Sequence, residues 1–253
     1  MFPYLRLGPF LLQLPGLALL GGVWIGSSLS EKEAARLKLN AAIVYNLIFY
    51  GLIAGILGAR LAYAARYLNT YLANPLSLLA LTPATLYPNA GLAIGLATAA
   101  LYGRRKQLPL RPTLDALAPA LAALMAALGL AHFLSGDAFG APTSLPWAIH
   151  LWDDYRHPSQ VYEILAALAV FGVAWKRPLG QPGEGVNFVF VVALSAAARV
   201  FLEAFRGDSV VWPGGLRVAQ VIGLIVLAVS LWLIRTWAQP TASMPIETQK
   251  NQI

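Results

Sequence analysis

Long apolar runs alternate with short polar connections along the whole chain. About seven runs reach or approach the roughly 20 residues needed to cross a hydrocarbon core of about 30 Å. They cover 8 to 28, 40 to 66, 89 to 103, 113 to 135, 159 to 175, 185 to 206 and 216 to 237, the third and fifth being short. This pattern predicts an all-α, polytopic membrane protein of about seven transmembrane helices. They form one domain over 1–238, and a disordered polar tail over 239–253 carries Pro240 and Pro245. Small-xxx-small pairs at Gly22 and Gly26, Gly51 and Gly55, and Gly91 and Gly95 predict close helix contacts in the bundle.

Local signals refine the boundaries. Ser30-Glu31-Lys32-Glu33 reads as a capping box and predicts that the second helix starts there and runs to Tyr67. Pro75, Pro83 and Pro88 interrupt the run before the third helix, so a broken or re-entrant piece is expected to feed a short helix from Asn89 to Gly103. Asp115 and Pro119 are expected to open the next helix, the carboxylate suiting the positive end of its dipole. The first run has only Arg6 before it and no Ala-x-Ala after it, which predicts a retained helix instead of a cleaved leader.

Composition agrees with a lipid solvent: 58% of residues are hydrophobic and 11% charged, with mean hydropathy +0.64. The net charge of +7 does not point to nucleic acid, because the basic residues sit in short connections. Lys32, Arg36, Lys38, Arg104, Arg105, Lys106, Arg111, Lys176, Arg177, Arg235 and Lys250 fall on one side, and Arg6, Arg66, Arg156, Arg206 and Arg217 on the other. That imbalance predicts an outside N-terminus and a cytoplasmic C-terminus. Cysteine is absent, so neither a thiolate nucleophile nor a thiolate metal site exists, and no cofactor or metal is expected.

The polar groups inside the apolar runs cluster toward the outer end. Arg156 to Glu163 places six hydrogen-bonding side chains at the mouth of a helix, among them His157, Gln160, Tyr162 and Glu163. An ionisable group entering hydrocarbon marks a site or a polar rim. Arg60 and Tyr63 lie one turn apart, a pair suited either to a headgroup site or to snorkelling. Asn89 and Gly91 stand at a helix N-terminus, where a phosphate is favoured. His132, Gly136 and Asp137 gather where the fourth long run ends, as an acid/base pair or an interfacial turn. Arg199, Glu203 and Arg206 share one helix face, either as an internal salt bridge or as a phosphate clamp. The connection 141 to 157, with Trp147, Trp152 and Tyr155, is a candidate lid or substrate platform. Such one-sidedness favours an enzyme or receptor for a lipid headgroup over a channel or carrier, whose sites lie near the midplane.

The Arg156–Glu163 stretch, the Arg199, Glu203, Arg206 triplet, Gly58-Ala59-Arg60-Leu61-Ala62-Tyr63 and the seven-helix plan together resemble the prolipoprotein diacylglyceryl transferase family. The resemblance spans almost the whole chain, and Asp115, Pro119, Phe133, Gly136 and Gly140 fall in register with the family pattern. It implies a multi-pass enzyme of the bacterial inner membrane with its active side outward. That enzyme moves the diacylglyceryl group of phosphatidylglycerol onto the lipobox cysteine of a preprolipoprotein signal peptide and releases glycerol phosphate. Arg199 matches a family arginine assigned to the phosphate, and Glu203 would orient it. Four departures are plain. The family's His-Gly-Gly turn is Asn89-Ala90-Gly91; its Gly-Arg-x-Gly-Asn segment is Leu128-Gly129-Leu130-Ala131-His132; its glutamate is Asp137; and a first-helix tyrosine falls on Pro15. Two readings stay open. In one, His132 acts as base with Asp137 orienting it while Arg60 and Arg199 hold phosphate; in the other, the chain keeps only an outer-leaflet lipid-binding or lipoprotein-handling role.

Overall fold

The computed structural model describes residues 3–8, 10–79, 85–176, 181 and 183–238. The chain opens with a hairpin, β1 (Tyr4–Leu7) and β2 (Phe10–Gln13), and passes into α1 (Leu14–Arg36), with a proline in its first turn where no intrahelical N–H is lost. Then follow α2 (Ala41–Arg66), a short α3 (Leu68–Ala73), a 3-10 turn (Pro75–Leu79), α4 (Pro88–Arg105) and α5 (Leu110–Ser135). A second hairpin, β3 (Ile149–Leu151) and β4 (Asp154–Arg156), precedes α6 (Ser159–Lys176) and α7 (Val186–Leu202). A 3-10 turn (Glu203–Phe205) and α8 (Val218–Trp237) complete it.

The described residues are all-α apart from the two hairpins. Four of their helical segments, Ala41–Arg66, Leu110–Ser135, Val186–Phe205 and Val218–Trp237, are long and apolar enough to cross a membrane. Packing is inverted relative to a water-soluble core. Ala116, Ala118, Ala122, Val186 and Val191 fill the interior, while Trp24, Leu61, Leu92, Phe201, Leu231 and Trp232 face outward. Small residues inside let backbones approach where lipid offers no hydrophobic drive between helices. A Cβ on Gly22 would lie 2.2 Å from Ala127 Cβ, which fixes α1 on α5. Gly51 and Gly55 meet Gly95 and Gly91 in the same manner, so α2 and α4 form a second close pair.

Two boundaries differ from the sequence expectations. The charged run at Ser30 ends α1 and does not begin α2. Glu33 there pairs with Arg36, Lys38 turns the chain at φ 58°, and the side chain of Asn40 caps α2 by accepting from the Ile43 N–H at 3.2 Å. Ser30 is fully buried inside the helix, where a capping role is closed to it. Asp115 and Pro119 likewise lie within α5, which begins at Leu110. The Asp115 carboxylate accepts from the N–H groups of Gly183, Gly185 and Phe188 at 3.0, 2.9 and 3.1 Å. It therefore caps the N-terminus of α7, an acid at a helix's positive end, though not the helix that carries it. The tail 239–253 lies outside the described residues, as do Pro83 and Arg177.

Candidate active site

Three backbone segments meet at one end of the bundle. The N–H of Ala141 donates to Phe205 O, that of Gly207 to Phe139 O and that of His157 to Ala141 O. The chain leaving α5 thus lies between the entrance of α6 and the exit of α7. A Cβ on Gly140 would stand 2.1 Å from His157 O, so only glycine permits this approach. Gln160, fully buried, donates from Nε2 to Asp137 O at 2.9 Å, and Ser159 donates to Ala138 O at 2.5 Å. These bonds anchor the first turn of α6 and set Glu163 one turn further in.

Glu163 is the centre of what they position. Its Oε2 lies 2.9 Å from His132 Nδ1, while its Oε1 accepts from Arg199 Nη1 at 3.0 Å and Arg206 Nη1 at 2.7 Å. Arg199 Nη2 reaches Glu203 Oε2 at 3.0 Å, and Glu203 is almost wholly buried. Arg206 makes a two-pronged pair with Asp208, at 2.9 and 2.7 Å. Arg217 in turn donates to the backbone of Glu203 and, at 3.0 Å, of Arg206, which holds the turn after α7. Two guanidiniums here meet three carboxylates, Glu163, Glu203 and Asp208. They are not equally available: the Arg199 side chain is 37% exposed and that of Arg206 only 10%. Arg199 is the cation that an incoming anion can reach.

A cavity of about 470 Å³ opens on this cluster. His132, Glu163, Arg199 and Arg206 form its polar end, and Met125, Leu128, Ala166, Val170 and Leu202 its apolar walls. Ser195, one turn before Arg199 in the same wall, has a buried hydroxyl with no hydrogen-bond partner among the described residues. Such a slot has polar groups at one end and hydrocarbon along the rest, the form that an amphiphile needs.

The other sequence candidates fall elsewhere. Asp137 is exposed and gives the site its backbone carbonyl; the carboxylate partner of His132 is Glu163. Arg60 is 4% exposed and donates to the carbonyls of Ser77, Leu78 and Thr85, with its plane 5.2 Å from the Tyr71 ring centre. Its guanidinium is thus engaged by carbonyls on either side of the break between α2 and α4. Tyr63 packs against Tyr67 and Tyr71. Asn89 is exposed in the first turn of α4, and Gly91 touches Gly55 and Ala59. Gly136 is the left-handed cap of α5 at φ 83° and accepts from the Trp152 indole at 3.3 Å. His157 Nδ1 lies 3.4 Å from the Tyr162 hydroxyl, which also accepts from Trp147 at 2.8 Å. The connection 141 to 157 contains the β3–β4 hairpin, held by Arg156 through Leu151 O and Gly140 O. The sequence alone singled out neither Ser195 nor Asp208, and Arg217 entered only among the basic residues of one side. The one legible signal was Asp208, two residues beyond Arg206.

The sequence pattern of the prolipoprotein diacylglyceryl transferase family matches residues 3–236. The chain belongs to this family. A relative from Synechococcus sp. (strain CC9902), named phosphatidylglycerol–prolipoprotein diacylglyceryl transferase, is 30% identical, with 90% of each chain covered. Relatives of the same name from Nostoc sp. (strain PCC 7120) and Corynebacterium glutamicum (strain R) are 28% and 26% identical, covering 89% and 88% of this chain and 85% and 77% of their own. Gly129, which the sequence resemblance sets against an arginine of the prolipoprotein diacylglyceryl transferase family, lies in a tight contact here. A Cβ on Gly129 would lie 2.9 Å from Ile164 Cγ1 and 3.1 Å from the Ile164 nitrogen. The close packing of α5 on α6 that this glycine allows brings His132 against Glu163.

Proposed function

We propose that the protein transfers the diacylglyceryl group of phosphatidylglycerol to the lipobox cysteine of a preprolipoprotein signal peptide, with His132, Glu163 and Arg199 carrying the chemistry. The observation that carries this reading is His132 Nδ1 at 2.9 Å from Glu163 Oε2, on the wall of a cavity that also holds Arg199. Glu163 fixes the imidazole with Nδ1–H toward itself and leaves Nε2 to take a proton, the arrangement of a general base with an orienting acid.

Balance sets the sequence of events. The cysteine thiol gives its proton to His132 and attacks the glyceryl carbon. An S–C bond forms, the C–O bond to phosphate breaks, and glycerol phosphate leaves with the electron pair. Negative charge grows on the phosphate oxygens, and Arg199, held by Glu203 and Glu163, is aimed at them. The imidazolium formed by the proton transfer adds a second positive charge beside the departing group, and Glu163 stabilises it. Two cations against three carboxylates would otherwise disfavour a phosphate here, so proton transfer and phosphate departure support each other.

In this reading all seven long helices, α1, α2 and α4 to α8, cross the bacterial inner membrane, with the N-terminus and the Glu163 cluster outward. The eleven basic residues counted on the opposite side of the sequence support that orientation. Trp147, Trp152 and Trp212, all exposed near the cluster's end of the bundle, suit the headgroup region. The test is transfer of labelled diacylglyceryl to a lipobox peptide by purified protein. His132→Ala and Glu163→Gln should each lower the rate by about 10²-fold or more. Lipid binding with no lipidated peptide from the wild type would instead support the outer-leaflet lipid-binding role.

A further inference from the structure

A second amphipathic slot lies on another face of the bundle. Both α1 and α6 pack on α5 and leave a groove between them. Its walls are almost wholly apolar, and its volume is about 470 Å³. Toward the basic end lies a cavity of about 370 Å³ that shares Ala122 and Phe171 with its lining. Lys32 and Arg36 line that second cavity, with Glu33, Trp175 and Asn187. Glu33 is already paired with Arg36 at 2.5 Å, and Lys32 makes no ion pair among the described residues, so its positive charge is available at the mouth. The buried side-chain oxygen of Asn187 has no hydrogen-bond donor among the described residues.

The dimensions fit one leaflet. Gly21, in the groove, and Lys32, at its mouth, are eleven residues apart on α1, or about 16 Å at 1.5 Å per residue. One leaflet contributes about half of a hydrocarbon core of roughly 30 Å. Neighbouring glycines divide the labour. Gly22 presses on Ala127, whereas a Cβ on Gly21 would meet no atom within 4 Å, so the groove has open space where that side chain would stand.

We propose that this groove holds an anionic phospholipid of the leaflet at the basic end, one acyl chain lying between α1 and α6 and the phosphate meeting Lys32 and Arg36. A hydroxylated headgroup supplies the donor that Asn187 lacks, so phosphatidylglycerol is the probe of choice. A signal peptide fits this mouth poorly, because its basic end would face Lys32 and Arg36. The slot shares no lining residue with the cavity at Glu163, so its occupant is a second lipid and not the transfer substrate.

Native mass spectrometry of the delipidated full-length protein, titrated with phosphatidylglycerol, tests this. One bound lipid should survive Arg199→Ala yet weaken by about tenfold or more in Lys32→Gln/Arg36→Gln, with transfer at saturating lipid unchanged. Gly21→Phe, at a position where a Cβ meets no atom within 4 Å, should obstruct the groove and remove the same lipid. Retention of that lipid in both variants would overturn the proposal, as would equal binding of phosphatidylcholine or equal competition by free glycerol phosphate. Loss of lipobox-peptide binding with the lipid retained would assign the groove to the peptide instead.

Discussion

Glu163 accepts hydrogen bonds from His132, Arg199 and Arg206, so removing its charge frees three partners at once. Glu163→Gln should therefore lose both proton acceptance and the aim of Arg199. Asp137→Asn should leave the transfer rate within about threefold, because that side chain is exposed and the site uses only its carbonyl. Comparing the two rates separates the orienting carboxylate seen in the structure from the one nearest in sequence. Gly129→Arg restores the family's residue type but drives a side chain into the backbone of α6. It should cost about 1–3 kcal/mol and lower the melting temperature without raising activity. His132, Glu163, Arg199, Glu203 and Arg206 were all legible as polar residues in apolar surroundings. Their partners were not. A charge buried in a helix declares itself by the cost of burial, but whether it faces the residue five or thirty-one positions away depends on how α5 packs on α6. Arg60 shows the same limit: its place in an apolar run marked it and the prolines marked a break before α4, but which carbonyls it serves depends on how the two pack.

Six of the seven apolar runs match a long helix to within about four residues, whereas the first, 8 to 28, is offset from α1 at both ends; four of the helical segments are long and apolar enough to cross a membrane. The ends shifted where capping came from a distance. Asp115 looked like a residue serving the start of its own helix, yet its three bonds all go to the start of α7, some seventy residues on. Asp115→Asn should weaken that cap by roughly 1–3 kcal/mol and loosen the connection before α7. A lower melting temperature, with faster proteolysis near Gly183, would be the measured sign. The small-xxx-small pairs of α2 and α4 were visible as spacing, and their meeting follows from the absence of side chains between the two backbones. Gly55→Leu should separate these helices, since a Cβ there already lies 3.1 Å from Gly91 O.

At the scale of the whole molecule, the apolar exterior, the small-residue interior and the polar cluster at one end describe a bundle that works on an amphiphile from within the bilayer. The native chain has no cysteine, so single cysteines report topology without background. With the N-terminus outside, an impermeant maleimide should label Trp147→Cys in intact cells and leave Lys106→Cys unlabelled until the membrane is opened. The reverse pattern would turn the whole assembly over. The central claim is that His132, oriented by Glu163, activates the acceptor thiol while Arg199 receives the phosphate. Its most direct test is single-turnover transfer of diacylglyceryl from labelled phosphatidylglycerol to a lipobox peptide, comparing wild type with His132→Ala, Glu163→Gln, Arg199→Ala and Asp137→Asn. Product is expected with wild type and Asp137→Asn, and a loss of about 10²-fold or more in the other three. Undiminished transfer by His132→Ala or Glu163→Gln would contradict it.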